Sequence, residues 1–191
     1  MSTFLRLIVV GLFTLLSTMA GLAADVPKEK QTKLAKYLTA KEAYEVVKAE
    51  GPKTLFIDVR TRAELQFVGM THEIDGQVAF VEMNEFGEWD AANNRFKLDA
   101  NPVFSQSVDK LLAAKGLTKA DRVVVMCRSG DRSARAINLL ADAGYTNVWN
   151  QVEGFEGDMS KGGRRDVNGW KNAGLPWTYK LDKAKISLPA K

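Results

Sequence analysis

Cysteine and histidine each occur once in the 191 residues, as Cys127 and His72, and proline only five times. One cysteine cannot close an intramolecular disulfide. Together with one histidine it cannot supply the four ligands of a structural zinc site, nor a histidine cluster for metal catalysis. No internal repeat or low-complexity tract is present, and collagenous or disulfide-stapled classes are excluded. What remains is a globular composition, 46% hydrophobic and 26% charged, whose length suits one domain with extensions. Lys and Arg outnumber Asp and Glu 27 to 23, a formal charge of +4. That excess suits a small anionic substrate and is too slight to indicate nucleic acid.

Acidic residues are missing from positions 1–24, where Arg6 precedes an apolar run from Leu7 to Leu16 and small residues follow at Gly21, Ala23 and Ala24. This is the pattern of a secretory signal peptide cleaved near Ala23. The apolar run is shorter than the roughly 20 residues of a membrane-spanning helix, so no stable anchor is expected after cleavage. The expected organisation is a signal peptide at 1–23, a polar tether at 24–36, a domain at 37–181 and a tail at 182–191. A periplasmic location follows if the source is Gram-negative. Oxidising compartments consume exposed thiolates, but a lone cysteine has no internal partner for a dead-end disulfide.

Thr39-Ala40-Lys41-Glu42 is a capping-box pattern, and Ala43, Val46 and Val47 then mark a helical stripe ending before Gly51-Pro52. Leu55 to Val59 reads as a buried strand, and Thr61 with Glu64 caps a short helix around Ala63 to Phe67. From Gly69 to Asn101 the periodicity fails, which predicts a long excursion with one strand at Gln77 to Val81. Val108, Leu111 and Leu112 mark a helix closed by Gly116. Val123 to Met126 is a strand, Ala134 to Ala141 a helix closed by Gly144, and Asn147 to Trp149 a last strand. Strands alternating with helices predict an α/β fold, a central parallel sheet with helices on both faces and ligands beyond the strands' carboxyl ends.

Cys127 stands at such an end. It follows Val123-Val124-Val125-Met126 directly and precedes Arg128-Ser129-Gly130-Asp131-Arg132-Ser133, which lead into the next helix. Gly130 permits an unusual turn, successive loop amides can converge on one centre, and the helix adds its positive end. Two arginines strengthen the preference for an anion and favour thiolate over thiol, while Asp131 opposes it unless it points outward or orients an arginine. A core cysteine has no need of this polar sequel.

The Cys127 to Ser133 segment resembles the active-site loop of the rhodanese, or thiosulfate sulfurtransferase, family. Asp58-Val59-Arg60, Thr61-Arg62-Ala63-Glu64, Gly144-Tyr145-Thr146-Asn147-Val148 and the ending Gly169 to Trp177 support the likeness, which covers about residues 37 to 180. Two features depart from the family pattern. Gly69-Met70-Thr71-His72-Glu73-Ile74-Asp75-Gly76 replaces a Gly-His-Ile-Pro-Gly-Ala-like segment, and the excursion from Met83 to Asn101 is longer than in minimal members.

The resemblance implies a sulfur relay without metal or cofactor. Cys127 takes a sulfane sulfur from thiosulfate or a similar small anionic donor, holds it as a persulfide, and passes it to a thiol or cyanide acceptor. Arg128 and Arg132 are expected to dock donor oxygens and the amides from Arg128 to Ser133 to form the cradle. Arg132 follows the cysteine by five positions, C-x4-R, a loop one residue shorter than the C-x5-R of cysteine phosphatases and tighter than a phosphoryl group needs. The alternative is a persulfide carrier or sulfur-binding module supplied by a protein partner.

Asp58 and Arg60 are expected mainly to brace the loops, and His72 to lie at the surface or brace a loop rather than act as a base. Lys161-Gly162-Gly163-Arg164-Arg165 reads either as a solvated loop or as a cationic rim that attracts donors. Trp89, Trp149, Trp170 and Trp177 read as core or lid packing.

Overall fold

The computed structural model describes residues 26–83 and 87–188, so the expected signal peptide and the first two tether residues lie outside the described residues. After β1 (Tyr37–Leu38), the Thr39 hydroxyl accepts the Glu42 amide at 3.2 Å while the Glu42 carboxylate accepts the Thr39 amide at 2.8 Å, opening α1 (Ala40–Glu50). β2 (Thr54–Asp58) is buried throughout, and Thr61 with Glu64 repeats the box ahead of α2 (Arg62–Val68). Each box satisfies amides that a first helical turn leaves open.

The excursion is more ordered than its composition suggests. β3 (Gly76–Gln77) joins the main sheet, β4 (Val81–Met83) pairs antiparallel with β7 (Leu98–Ala100), and β5 (Trp89–Asp90) pairs with β6 (Arg95–Phe96). The strand expected at Gln77 to Val81 is thus divided between two sheets, although the Val78 and Phe80 amides still bond to Asp58 and Val59 carbonyls. Strands of two or three residues, several of them exposed, carry no readable alternation. α3 (Phe104–Ala114), β8 (Arg122–Met126), α4 (Asp131–Asp142) and β9 (Val148–Gln151) follow, and a short 3-10 turn lies at Lys183–Lys185.

The main sheet has the order β1-β9-β8-β2-β3 and every pairing in it is parallel. Alternation sends Leu55, Ile57, Val123 and Val125 to one face, against Phe104, Val108 and Leu112 of α3 and Ala136, Ile137 and Leu140 of α4. Phe56, Val124 and Met126 face the other way, against Ala40, Ala43, Leu65, Phe155 and Trp170. With both faces dry, the runs Leu55–Ile57 of β2 and Val123–Met126 of β8 are apolar without interruption, and the expected two-sided α/β sheet is what forms.

Both terminal extensions belong to the folded body where they are described. In the 26–36 stretch, expected as a tether, Val26 and Lys30 are buried and Lys30 pairs with Asp158 at 2.6 Å. The Lys33 amide donates to Asn138 at 2.8 Å. In the 182–188 stretch, expected as tail, Ile186 bridges Gln77 in parallel fashion, and the Lys185 ammonium donates to the His72 and Ile74 carbonyls. Isolated apolar residues, Val26, Leu34 and Ile186, reach the core beside these polar contacts without forming a periodic stripe, so the sequence pattern does not betray them.

Trp170 anchors the second face: it is fully buried, lies 5.5 Å from Phe56 ring to ring, and donates its indole N–H to the Pro176 carbonyl at 2.9 Å. Trp170→Ala is expected to lower stability by about 3–5 kcal/mol, read from the urea midpoint. A loss below about 1 kcal/mol would contradict this packing.

Candidate active site

Cys127 is the first residue beyond β8, and only Arg128, Ser129 and Gly130 separate it from α4. Gly130 adopts φ +97°, and a Cβ there would stand 2.1 Å from the Val152 carbonyl oxygen. Gly154 mirrors it at φ +72°, where a Cβ would stand 2.3 Å from the Arg128 oxygen and the Ser129 nitrogen. The two glycines let the cysteine loop close onto the segment after β9. Three amides then hold the loop from behind: Phe155 donates to Cys127 O at 2.8 Å, and Glu156 and Gly157 donate to Arg128 O at 3.0 and 3.2 Å.

The sulfur accepts the Gly130 N–H at 3.1 Å and lies 3.4 Å from the Ser133 hydroxyl oxygen. Unlike α1 and α2, helix α4 begins without a side-chain cap, and its first intrahelical bond runs from Ala134 N to Gly130 O. The amides of Asp131, Arg132 and Ser133 therefore have no partner within the helix, and its positive end faces the loop. Cys127 itself has no exposed surface and packs in the same core as Val59 and Val125. Its sulfur sits at the boundary between hydrocarbon and this polar turn.

Arg132 is buried, and its fork grips Glu64 on α2: Nη1 to Oε2 at 2.7 Å and Nη2 to Oε1 at 2.5 Å. Those donors, expected to meet a substrate, are occupied, while the positive charge still acts on the Cys127 sulfur. Desolvation works against the Arg132 charge, but the Glu64 bonds and carboxylate, with Cys127 and Asp131, keep the guanidinium more basic than usual. On Glu64 burial pushes the carboxyl up. The Arg132 hydrogen bonds and charge, the Thr61 amide and the Arg60 charge outweigh it and hold Glu64 at about 2. Arg128 is exposed, Ser129 and Asp131 are half-buried, and Asp131 faces Arg135 one turn on at 3.9 Å rather than the sulfur.

Asp58 and Arg60 form a fully buried pair beside the loop: Arg60 Nε lies 3.0 and 3.1 Å from the two carboxylate oxygens and Nη2 2.7 Å from Oδ2. Arg60 Nη2 also donates to Gly69 O at 3.0 Å, and its guanidinium lies 3.8 Å above the Phe155 ring. The pair thus ties the end of β2 to the segment that backs the cysteine loop. His72 is exposed and its Nε2 lies 3.0 Å from the Lys180 carbonyl. Arg165 donates to Gly157 O at 2.7 Å, which places the 161–165 basic stretch directly behind Arg128.

A cavity of about 790 Å³ lies elsewhere, between β3, α3 and residues 184–188, and none of residues 127–133 lines it. Among the described residues no group of three or more His, Cys, Asp or Glu side chains could hold a metal.

A cysteine at the turn between a central parallel strand and an uncapped helix marks a class of α/β domains, and the sequence comparison specifies which. The rhodanese-like domain model matches residues 39–161, so the chain belongs to the rhodanese-like domain family. The uncharacterized protein RP600 of Rickettsia prowazekii is 29% identical over 124 residues, which are 64% of this chain and 81% of that one. The uncharacterized protein RC0915 of Rickettsia conorii is 28% identical over 138 residues, 72% of this chain and 93% of that one. The crystal structure of Rv0390 from M. tuberculosis matches with a TM-score of 0.58 and 27% identity, over 76% of this chain and 98% of that one.

Glu64 at about 2, against an ordinary 4.5, contributes stability that is complete above pH 4.5 and lost as pH falls through about 2. Glu64→Gln is therefore expected to be less stable than wild type at pH 7, with the gap closing in acid. Denaturant midpoints at several pH values read this, and a gap independent of pH would contradict the pairing.

Proposed function

We propose that the chain is a sulfurtransferase that carries a sulfane sulfur as a persulfide on Cys127. The observation that supports this reading best is the Cys127 sulfur at the uncapped start of α4, with the Gly130 amide already on it. In the first displacement the thiolate attacks the outer sulfur of a donor such as thiosulfate. The donor S–S bond breaks, its electron pair leaves with sulfite, and Cys127 holds the sulfur. In the second, a thiolate or cyanide attacks that outer sulfur and the Cys127 thiolate returns, a ping-pong scheme.

Loop amides stabilise the anionic sulfur in both half-reactions. Exposed Arg128 meets the donor oxygens, and Arg132, held by Glu64, supplies charge from behind. Export to the periplasm is part of the proposal and rests on the acid-free leader ending near Ala23.

The complete burial of Cys127 favours a second reading, in which a protein partner rather than free thiosulfate delivers or collects the sulfur. In either case side chains over the sulfur give way as the donor arrives. Thiosulfate alone separates the two: a self-sufficient enzyme gains one sulfur atom by intact mass, whereas a partner-dependent carrier gains none.

Cys127→Ser is expected to abolish sulfur transfer in a thiosulfate and cyanide assay while leaving the free energy of unfolding within about 1 kcal/mol of wild type. Retained turnover would remove the mechanism. If the 161–165 stretch steers donors, the donor KM rises with salt in wild type, and the combined Arg164→Ala and Arg165→Ala variant loses that dependence. An unchanged salt response in the variant would make the stretch a solvated loop only.

A further inference from the structure

Asn150, fully buried at the end of β9, is the side chain that connects the cysteine loop to the N-terminal segment. Its amide nitrogen donates to the Gly130 and Lys30 carbonyls, both at 3.0 Å, and its oxygen lies 2.6 Å from the Ser133 hydroxyl. The amide orientation is thereby determined, because a flip would set its oxygen against two carbonyl oxygens and its nitrogen against the hydroxyl alone. Oδ1 is an acceptor, so at 2.6 Å the hydroxyl proton belongs to the Ser133–Asn150 bond.

Ser133 has three acceptors within reach, Asn150 Oδ1 at 2.6 Å, Gly130 O at 3.1 Å and Cys127 Sγ at 3.4 Å, and one proton to give. While that proton points at Asn150 Oδ1, the hydroxyl offers the sulfur only a lone pair, which suits a neutral thiol donating S–H. Once the sulfur is anionic, the same hydroxyl gains by turning its proton to it, since hydrogen bonds to charged acceptors are the stronger ones.

We propose that Asn150 is a positioning residue that sets the direction of the Ser133 hydroxyl, making Ser133 an acceptor toward a neutral Cys127 thiol and a donor toward its anionic forms. Asn150 thus competes with the sulfur for one proton. The inference rests on Cys127 being the reacting sulfur. Several charges surround the loop: Arg128 and Asp131 beside the sulfur's turn, Arg132 with Glu64, Asp58 with Arg60, Lys30 with Asp158, and Glu156 and Arg165 in the segment behind it, while Glu153 turns its carboxylate to the Ala40 amide. The substitutions below leave all of them in place.

The test is the pH profile of Cys127 alkylation by iodoacetamide, followed by intact mass on the whole chain. Ser133→Ala is expected to move the profile to higher pH and slow alkylation at neutral pH by roughly tenfold to a hundredfold, the size of one hydrogen bond to a charged group. Asn150→Ala is expected to move it to lower pH, and to have no further effect in the Ser133→Ala background. An unmoved profile in Ser133→Ala overturns the proposal on its own, whether or not the Asn150 variant folds. So does an Asn150 effect that persists without the hydroxyl. Alkylation needs no sulfur donor, so the expected shifts without any persulfide formation would count against sulfur transfer and not against this proton switch.

Discussion

Everything at the candidate site follows from the close passage of two backbone turns, Gly130 against Val152 and Gly154 against Arg128, where a Cβ would stand 2.1 to 2.3 Å from main-chain atoms. Because glycine stands at each point of closest approach, the strand leading to Cys127 can reverse into α4 within three residues and leave the helix start open toward the sulfur. Lengthening or filling that turn would separate the thiol from the amides. The three backbone bonds from residues 155–157 then fix what the glycines permit.

Around this turn the charges are arranged in pairs rather than left free. Arg132 is neutralised by Glu64 and Arg60 by Asp58, so two guanidinium groups are buried beside the loop without unbalanced charge. The pairing also links elements: α2 to α4 in one case, the end of β2 to the Phe155 segment in the other. A rigid frame of this kind suits a covalent carrier, whose anionic sulfur has to be stabilised in two successive states by the same donors.

Local features were legible in the sequence. Both capping boxes need only three residues, the strands Leu55 to Val59 and Val123 to Met126 announce themselves as short apolar runs, and the Cys127 to Ser133 segment carries its chemistry in one contiguous stretch. Pairings across the fold were not. Glu64 reads from sequence as a capping residue, and its grip on Arg132 joins positions 68 apart. Asn150 escaped because one polar residue at the end of a short strand has no periodic signature. Its only available signal was that a buried polar side chain must find partners. The docking of residues 26–36 and 182–188 was hidden for a similar reason, since it depends on main-chain and lysine contacts and on the isolated apolar residues Val26, Leu34 and Ile186.

The most direct measurement is the structure of the protein after reaction with thiosulfate. The account predicts one additional sulfur atom bonded to Cys127 Sγ, within hydrogen-bonding distance of the amides that open α4, with Arg132 still paired to Glu64. A bare Cys127 sulfur after exposure to thiosulfate and to other sulfane donors, or an added sulfur directed away from those amides, would contradict it.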